Sequence, residues 1–285
     1  MSMTIQYPAG PTGAEIHGIR LDGNLTDTEF DHIRKTVHER GVAVVRDQEL
    51  SEEDHVAFAR RFGNLQKIFL AEHLSSRYPE LFLVSNILEN GKPIGATDAG
   101  KFWHTDGAYL EKPHNVSLLY ALEVPHREDG QPLGDTLFAG MGPAYEALTE
   151  EFKARLDGLR AYHDLYHRYG EKEGATAEMG KRAKEYPPAS HPLVITHPDT
   201  GKKCLYLSEG YTTHIEGMTK EQSSALLAEL CEHVVRPEFQ YRHRWAVGDL
   251  LIWDNRATLH RATFDYQLPR RRLMRRATVA GQAIA

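Results

Sequence analysis

The sequence predicts a single domain over residues 1–285, mainly β with flanking α-helices, built around a β-sandwich or barrel. Three observations predict it. Short apolar runs bounded by Gly, Pro, Asn and Asp recur along the whole chain, as expected of many brief strands. Helical periods are confined to the first 63 residues, to residues 143–170 and to residues 219–235. No repeat or linker divides the chain, and 285 residues can bury roughly 75% of their unfolded surface around one core.

The elements follow in order. AEIHGIRL (14–21) alternates and reads as a strand. LTDTEFDHIRKTVHERG reads as a helix: Thr26 and Glu29 have capping-box spacing, Phe30, Ile33 and Val37 share a face, and Gly41 stops it. VAVVRD (42–47) is a strand, and SEEDHVAFARRFG (51–63) a second helix with Ser51 as cap and Gly63 as terminator. LFLVSNI (81–87) is a strand and ENGKPIG a loop. KFWHTDGAY begins a strand that breaks near Gly107, and NVSLLYALEV (115–124) and TLFAG (136–140) are strands. Residues 143–170 read as mostly helical. Residues 171–191, rich in charge, Gly and Pro, read as an excursion or mobile loop. HPLVITHP and KKCLYLS are strands joined by a DTGK turn. TKEQSSALLAELCEHVV (219–235) is a helix capped by Thr219 and Gln222. QYRHRW, GDLLIWDN, TLHRAT and RRLMRRATVAG are strand-like pieces to the end.

Composition narrows the class. Hydrophobic content of 41% and charged content of 26% are those of a soluble globular protein. No apolar stretch reaches membrane-spanning length. The start, MSMTIQYPAG, lacks the basic and apolar regions of a secretory signal, so a cytoplasmic protein without a membrane partner is expected. Cys204 and Cys231 are too few for a disulfide framework and read as buried free thiols. The net charge of −6 argues against a general nucleic-acid binder. A homo-oligomer is compatible with everything above.

The chemistry begins at FWHTDGAY (102–109). On a strand, residues two apart point to one face, so His104 and Asp106 can reach a single ion. Two histidines and one carboxylate on one face of a metal leave three positions open, the arrangement of non-haem Fe(II) oxygenases. HxD alone leaves a polar pair at a strand end as the other reading. The missing histidine has its best candidate in His260 of LLIWDNRATLHRAT (250–263), where an apolar strand runs into an Asp-Asn turn. His163 and His167 compete, four apart on an expected helix, but no glutamate stands where a helical zinc protease needs one.

RRRLMRRATVAG (270–281), read as a strand, puts Arg272, Met274 and Arg276 on one face and Arg271, Leu273 and Arg275 on the other. Arg272 and Arg276 are then about 13 Å apart, within reach of separate anionic groups in one pocket. A solvated basic edge strand and a nucleic-acid patch are the alternatives. The apolar residues between the arginines favour a strand packed into the fold.

Taken together, HTD, GDTLF, WDNRATLHRAT and RRRLMRRAT resemble the Fe(II)/2-oxoglutarate dioxygenases of the taurine dioxygenase and 2,4-dichlorophenoxyacetate dioxygenase family. The resemblance covers nearly the whole chain. It implies a double-stranded β-helix (jelly roll) with helices packed outside. It implies His104, Asp106 and His260 as iron ligands, and Arg272 with Thr136 as partners of the far carboxylate of 2-oxoglutarate. Arg276 is implied as the anchor for an anionic group of the substrate, and Lys92, in ENGK, resembles a substrate-facing lysine of the phenoxyacetate branch. The implied cosubstrates are 2-oxoglutarate and O2, and the products succinate, CO2 and a hydroxylated small organic anion.

The sequence departs from the family pattern at two places. Ile68, in RFGNLQKIFL, stands where taurine dioxygenase has a sulfonate-binding histidine, so an aryloxyalkanoate-like or other carboxylate is preferred. A sulfonate, a sulfate ester or an amino-acid-derived metabolite follows. The spacing from His260 to Arg272 is one residue longer than usual, and Arg272 is kept over Arg271 because the two face opposite ways. A metal-dependent β-barrel hydrolase or isomerase that performs no oxidation is the rival class.

Overall fold

Local capping chemistry fixes the helices where the sequence places them. In the computed structural model, which describes residues 3–68, 71–97, 100–169, 180–181 and 183–284, the helix Asp27–Arg40 starts at a reciprocal Thr26–Glu29 capping box. Glu52–Arg60 starts at a Ser51–Asp54 box and Lys220–Val234 at a Thr219–Gln222 box. Gly41 ends the first helix at φ 75°, a conformation L side chains disfavour, and a Cβ there would meet the Thr258 side chain at 2.6 Å.

Seven strands hydrogen-bond in the order Thr4–Gln6, Glu15–His17, Val42–Val45, Leu250–Asp254, Val116–Glu123, Leu273–Thr278, Leu81–Ser85. Only the pair Glu15–His17 and Val42–Val45 is parallel. A second sheet runs Gln240–His243, Thr136–Gly140, Thr258–Ala262. The pleat sorts side chains between two layers. Ala43, Val45, Leu118, Tyr120, Leu250 and Ile252 pack on the two N-terminal helices through Phe30, Ile33, Val37 and Phe58. Their alternates Val42, Val44, Leu119, Leu251, Trp253 and Met274 turn inward against Phe138 and Tyr241 of the second sheet. Arg272 and Arg276 share the parity of Met274, so the fold aims both into the space between the sheets. A third cluster, around Tyr206, Leu207 and Leu230, packs the helix Lys220–Val234 outside.

Several expectations are corrected. KFWHTDGAY is not a strand: His104 forms an isolated bridge with His260, and Gly107 turns the chain at φ 73°. Residues 143–170 are helical for the most part, as expected, but Arg160–His163 is a strand between the short helices Glu150–Leu156 and Leu165–Tyr169. His163 and His167 therefore do not share a helix face. Of the expected 171–191 excursion, residues 171–179 and 182 lie outside the described residues. Its end, Ala189–Pro192, is a strand paired with Arg160–His163. Thr212–Ile215 completes that small sheet and was not expected, since TTHI carries one apolar residue and is held by its partner strand. Cys204 is buried and Cys231 half-buried, and both are free thiols. Among the described residues no helix is long and apolar enough to cross a membrane.

Two buried histidines make the fold acid-sensitive. Arg275 Nε donates to His55 Nδ1 at 3.3 Å, which requires the imidazole to be neutral. Burial and the Arg275 charge push the His55 pKa down to about 3, and burial with His191 pushes His163 to about 3. Both lie below the unfolded imidazole value, so the stability they contribute is complete above pH ~6.5 and is lost as pH falls toward 3. Each adds on the order of 1 kcal/mol of lost stability per pH unit in that window. Urea denaturation between pH 6.5 and 5 is expected to show this acid limb. His163→Asn should remove about one proton from its slope, and an unchanged slope contradicts the assignment.

Candidate active site

The bridge between residues 104 and 260 is what brings two distant histidines together. His104 N–H donates to the His260 carbonyl at 3.1 Å, and His260 N–H to the His104 carbonyl at 2.8 Å. Residues paired this way send their side chains to one face, and the two rings lie with centroids 4.1 Å apart. Asp106 follows after one residue and completes a cluster whose candidate ligand atoms all lie within 4.8 Å of one another. All three side chains are buried.

Proton placement shows what this cluster can hold. His104 Nδ1 lies 2.9 Å from the Phe102 carbonyl, which can only accept, so Nδ1 carries the hydrogen and Nε2 keeps its lone pair. That lone pair is 3.8 Å from Asp106 Oδ1, too far for a hydrogen bond and open to a cation between them. A ligating histidine commonly donates its other N–H to a carbonyl in this way. Burial pushes the His104 pKa down, and burial with the neighbouring His104 pushes His260 well below the ordinary imidazole range. Both rings are therefore neutral, as ligands must be. For Asp106, burial works to raise the pKa, but the Arg276 guanidinium works foremost against it and the carboxyl stays below its usual range. Two neutral imidazoles and one carboxylate suit a divalent transition metal with three positions left open.

A cavity opens beside the cluster. His104, His260, Thr136, Trp253, Arg272 and Arg276 line it. Arg272 is buried, and its Nε has no hydrogen-bond partner among the described residues. Burial pushes its pKa down, and the Tyr266 side chain works against that. Trp245 Nε1–H donates to Thr136 Oγ1 at 3.1 Å, which leaves the threonine hydrogen free to donate elsewhere. Arg276 lies above the Phe82 ring and reaches Asp106, with Nη1 3.3 and 3.4 Å from its two oxygens. Arg271 faces away and pairs with Glu123 through two 2.9 Å bonds. Lys92 is exposed on the two-residue strand Lys92–Pro93 and does not line the cavity.

A second cluster, His38, His197 and Asp254, has a similar composition. Its protons are already placed. The Asp199 backbone N–H donates to His197 Nδ1 at 3.2 Å, so His197 Nε2 carries the hydrogen and donates to Asp254 Oδ2 at 2.8 Å. His38 Nδ1 stands 2.6 Å from the same oxygen, and Arg256 also pairs with the carboxylate. Burial works to raise the Asp254 pKa, but Arg256, His197 and His38 hold it well below the usual range. A cation there has to displace protons and compete with a guanidinium.

Sequence reasoning missed the residues that hold the candidate site side chains in place. Ser117 Oγ and Asn255 contact Asp106, and Trp245 contacts Thr136. Ser117 is a small polar residue on an inward-facing position of the strand Val116–Glu123. A polar residue on the apolar face of a strand was the available signal.

Comparison with known proteins agrees with this geometry. Residues 5–278 match the family described as taurine catabolism dioxygenase TauD, TfdA family. The alpha-ketoglutarate-dependent 2,4-dichlorophenoxyacetate dioxygenase of Burkholderia sp. (strain RASC) is 35% identical, over 99% of this chain and 96% of its own. The crystal structure of a taurine dioxygenase from Burkholderia xenovorans superposes with TM-score 0.82 at 31% identity, covering 100% of this chain and 91% of that one. The structure of AAD-2 in complex with Mn(II) and N-oxalylglycine superposes with TM-score 0.79 at 31% identity, covering 99% and 98%. The two facing sheets are thus those of a double-stranded β-helix. The chain belongs to the TauD, TfdA family and is a 2-oxoglutarate-dependent non-haem iron dioxygenase acting on a small organic acid.

Proposed function

We propose that His104, Asp106 and His260 hold the ferrous ion, that Arg272 and Thr136 hold the far carboxylate of 2-oxoglutarate, and that Arg276 faces the anionic group of the primary substrate. The observation that carries this reading is the meeting of the His104, Asp106 and His260 side chains, beside one cavity, with a buried arginine that has no carboxylate partner among the described residues. The whole of residues 1–285 is read as one dioxygenase domain. When bound, the ion with 2-oxoglutarate and O2 would supply an oxidation in which one oxygen atom of O2 enters succinate, with loss of CO2 from the keto acid, and the other enters the substrate.

The side chains supply orientation and water exclusion. A guanidinium fork suits a carboxylate because two parallel bonds fix direction as well as energy. Thr136, held as an acceptor by Trp245, adds a donor at the same end. N-oxalylglycine, named in the AAD-2 complex, has carboxylates at both ends as 2-oxoglutarate does. That likeness supports a cavity built for a dicarboxylate. The His104 tautomer, fixed by the Phe102 carbonyl, keeps that ligand ready without reorganisation.

The preferred substrate is an aryloxyalkanoate-like or other small carboxylate, with a sulfonate or sulfate ester as the second reading. Names of both kinds occur among relatives of similar identity. Ile68, partly buried beside the inner cluster, offers no hydrogen bond to a sulfonate. The test is a panel of aryloxyacetates, alkyl sulfonates and sulfate esters, scored by succinate release above the substrate-free rate. Aryloxyacetates are expected to stimulate release most. In Arg276→Leu that stimulation should fall at least ~10-fold, the loss of one charge-assisted bond. Stimulation by sulfonates alone overturns the substrate assignment.

A further inference from the structure

Beyond the ligands themselves, the hydrogen bonds around Asp106 determine which of its oxygens a metal can use. Asn255 Oδ1 lies 3.2 Å from the Asp106 backbone N–H and 2.9 Å from Trp253 Nε1–H. Both are pure donors, so that atom is the oxygen. Asn255 Nδ2 must then donate to Ser117 Oγ, at 3.0 Å. Ser117 Oγ accepts there and sends its own hydrogen to Asp106 Oδ2, at 2.8 Å. Every proton in the chain Trp253, Asn255, Ser117, Asp106 has one possible direction. Ser117 and Asn255 are buried, so no solvent competes with it. Arg276 Nη1 is nearly equidistant from both carboxylate oxygens and does not choose between them.

We infer that Ser117, oriented by Asn255, is a positioning residue that keeps Asp106 a one-oxygen ligand and so preserves the third open position on the metal. The inference rests on the assignment of the ion to His104, Asp106 and His260. With the Ser117 hydrogen on Oδ2, Oδ1, 3.8 Å from His104 Nε2, is the oxygen better placed for the cation. Two positions are then left for the keto acid and one for O2. A carboxylate bound through both oxygens would take one of these.

The test is an anaerobic titration of 2-oxoglutarate into protein saturated with Fe(II), comparing wild type, Ser117→Ala, Ser117→Thr and Asp106→Ala. Ser117→Ala is expected to bind the metal but to need about 10- to 100-fold more 2-oxoglutarate, the usual scale for a lost partner of a metal ligand. Ser117→Thr, which keeps the hydroxyl, should recover most of that loss. A purely structural serine lowers the thermal midpoint yet leaves the keto-acid titration of the folded, metal-loaded protein unchanged. That result overturns the inference, as does an equal loss in Ser117→Ala and Ser117→Thr. Retention of metal binding by Asp106→Ala sinks the site assignment itself and is distinguishable from both.

Discussion

Asp106→Ala is expected to lose about 10²-fold or more in affinity for Fe(II) and to lose turnover with it, while the fold persists. The magnitude follows from the role: outer partners of a metal ligand already account for 10- to 100-fold, and the ligand for more. The fold should survive because the carboxylate is not a cornerstone of packing. Its neighbours are Ser117, Asn255 and Arg276, and the bridge between His104 and His260 is made by backbone atoms. Removing the acid also leaves the largely buried Arg276 without its anionic partner, so a loss of stability of up to about 3–5 kcal/mol is expected. Metal content after anaerobic equilibrium dialysis checks the affinity, and circular dichroism checks the fold. Wild-type metal content in a folded Asp106→Ala protein contradicts the assignment.

Arg272→Ala is expected to separate stability from cosubstrate binding. A charge-assisted bond to a carboxylate is worth about 1.5–3 kcal/mol, so affinity for 2-oxoglutarate should fall roughly 10- to 150-fold, with less effect on the primary substrate. The protein free of 2-oxoglutarate should be no less stable than wild type. Burial disfavours the Arg272 cation, and its Nε bonds to nothing among the described residues. The Trp245 and Tyr266 rings, about 6 Å from the guanidinium carbon, and a Tyr266 side-chain hydrogen bond offset part of that cost. Thermal midpoints with and without 2-oxoglutarate provide the check. Wild type should gain stability from the keto acid and the variant should not. Equal gains in both would remove Arg272 from the cosubstrate site.

These residues differ in how legible they were. That His104, Asp106, His260, Arg272 and Thr136 are candidates for one site was legible because short motifs mark them, and the fold brings them together. The capped helices at 26–40, 51–60 and 219–234 were legible because Ser, Thr, Glu and Gln at fixed spacings encode the cap itself. The strand parity that sends Arg272 inward and Arg271 outward followed from a period of two. Other features were not local. His104 was expected on a strand, but its position comes from one bridge to a residue 156 places away by sequence number, 260 minus 104. Arg160–His163 and Thr212–Ile215 have little apolar alternation and exist as strands because they pair with each other. The Ser117–Asn255 clamp needed three dimensions, since a serine in an apolar strand carries no mark of its partner. The two His–His–Asp clusters could be told apart only through hydrogen-bond direction, which a sequence does not contain.

The most direct test places the ion. Fe(II) and then 2-oxoglutarate are added anaerobically to wild type, Asp106→Ala and His197→Gln, and the weak visible absorption of a chelated Fe(II)–keto acid complex is recorded. Glutamine at 197 retains an amide donor for Asp254, so that variant tests ligation rather than folding. The band is predicted in wild type and in His197→Gln and is predicted to be absent from Asp106→Ala. A band that survives in Asp106→Ala and vanishes in His197→Gln would move the metal to His38, His197 and Asp254 and contradict the account.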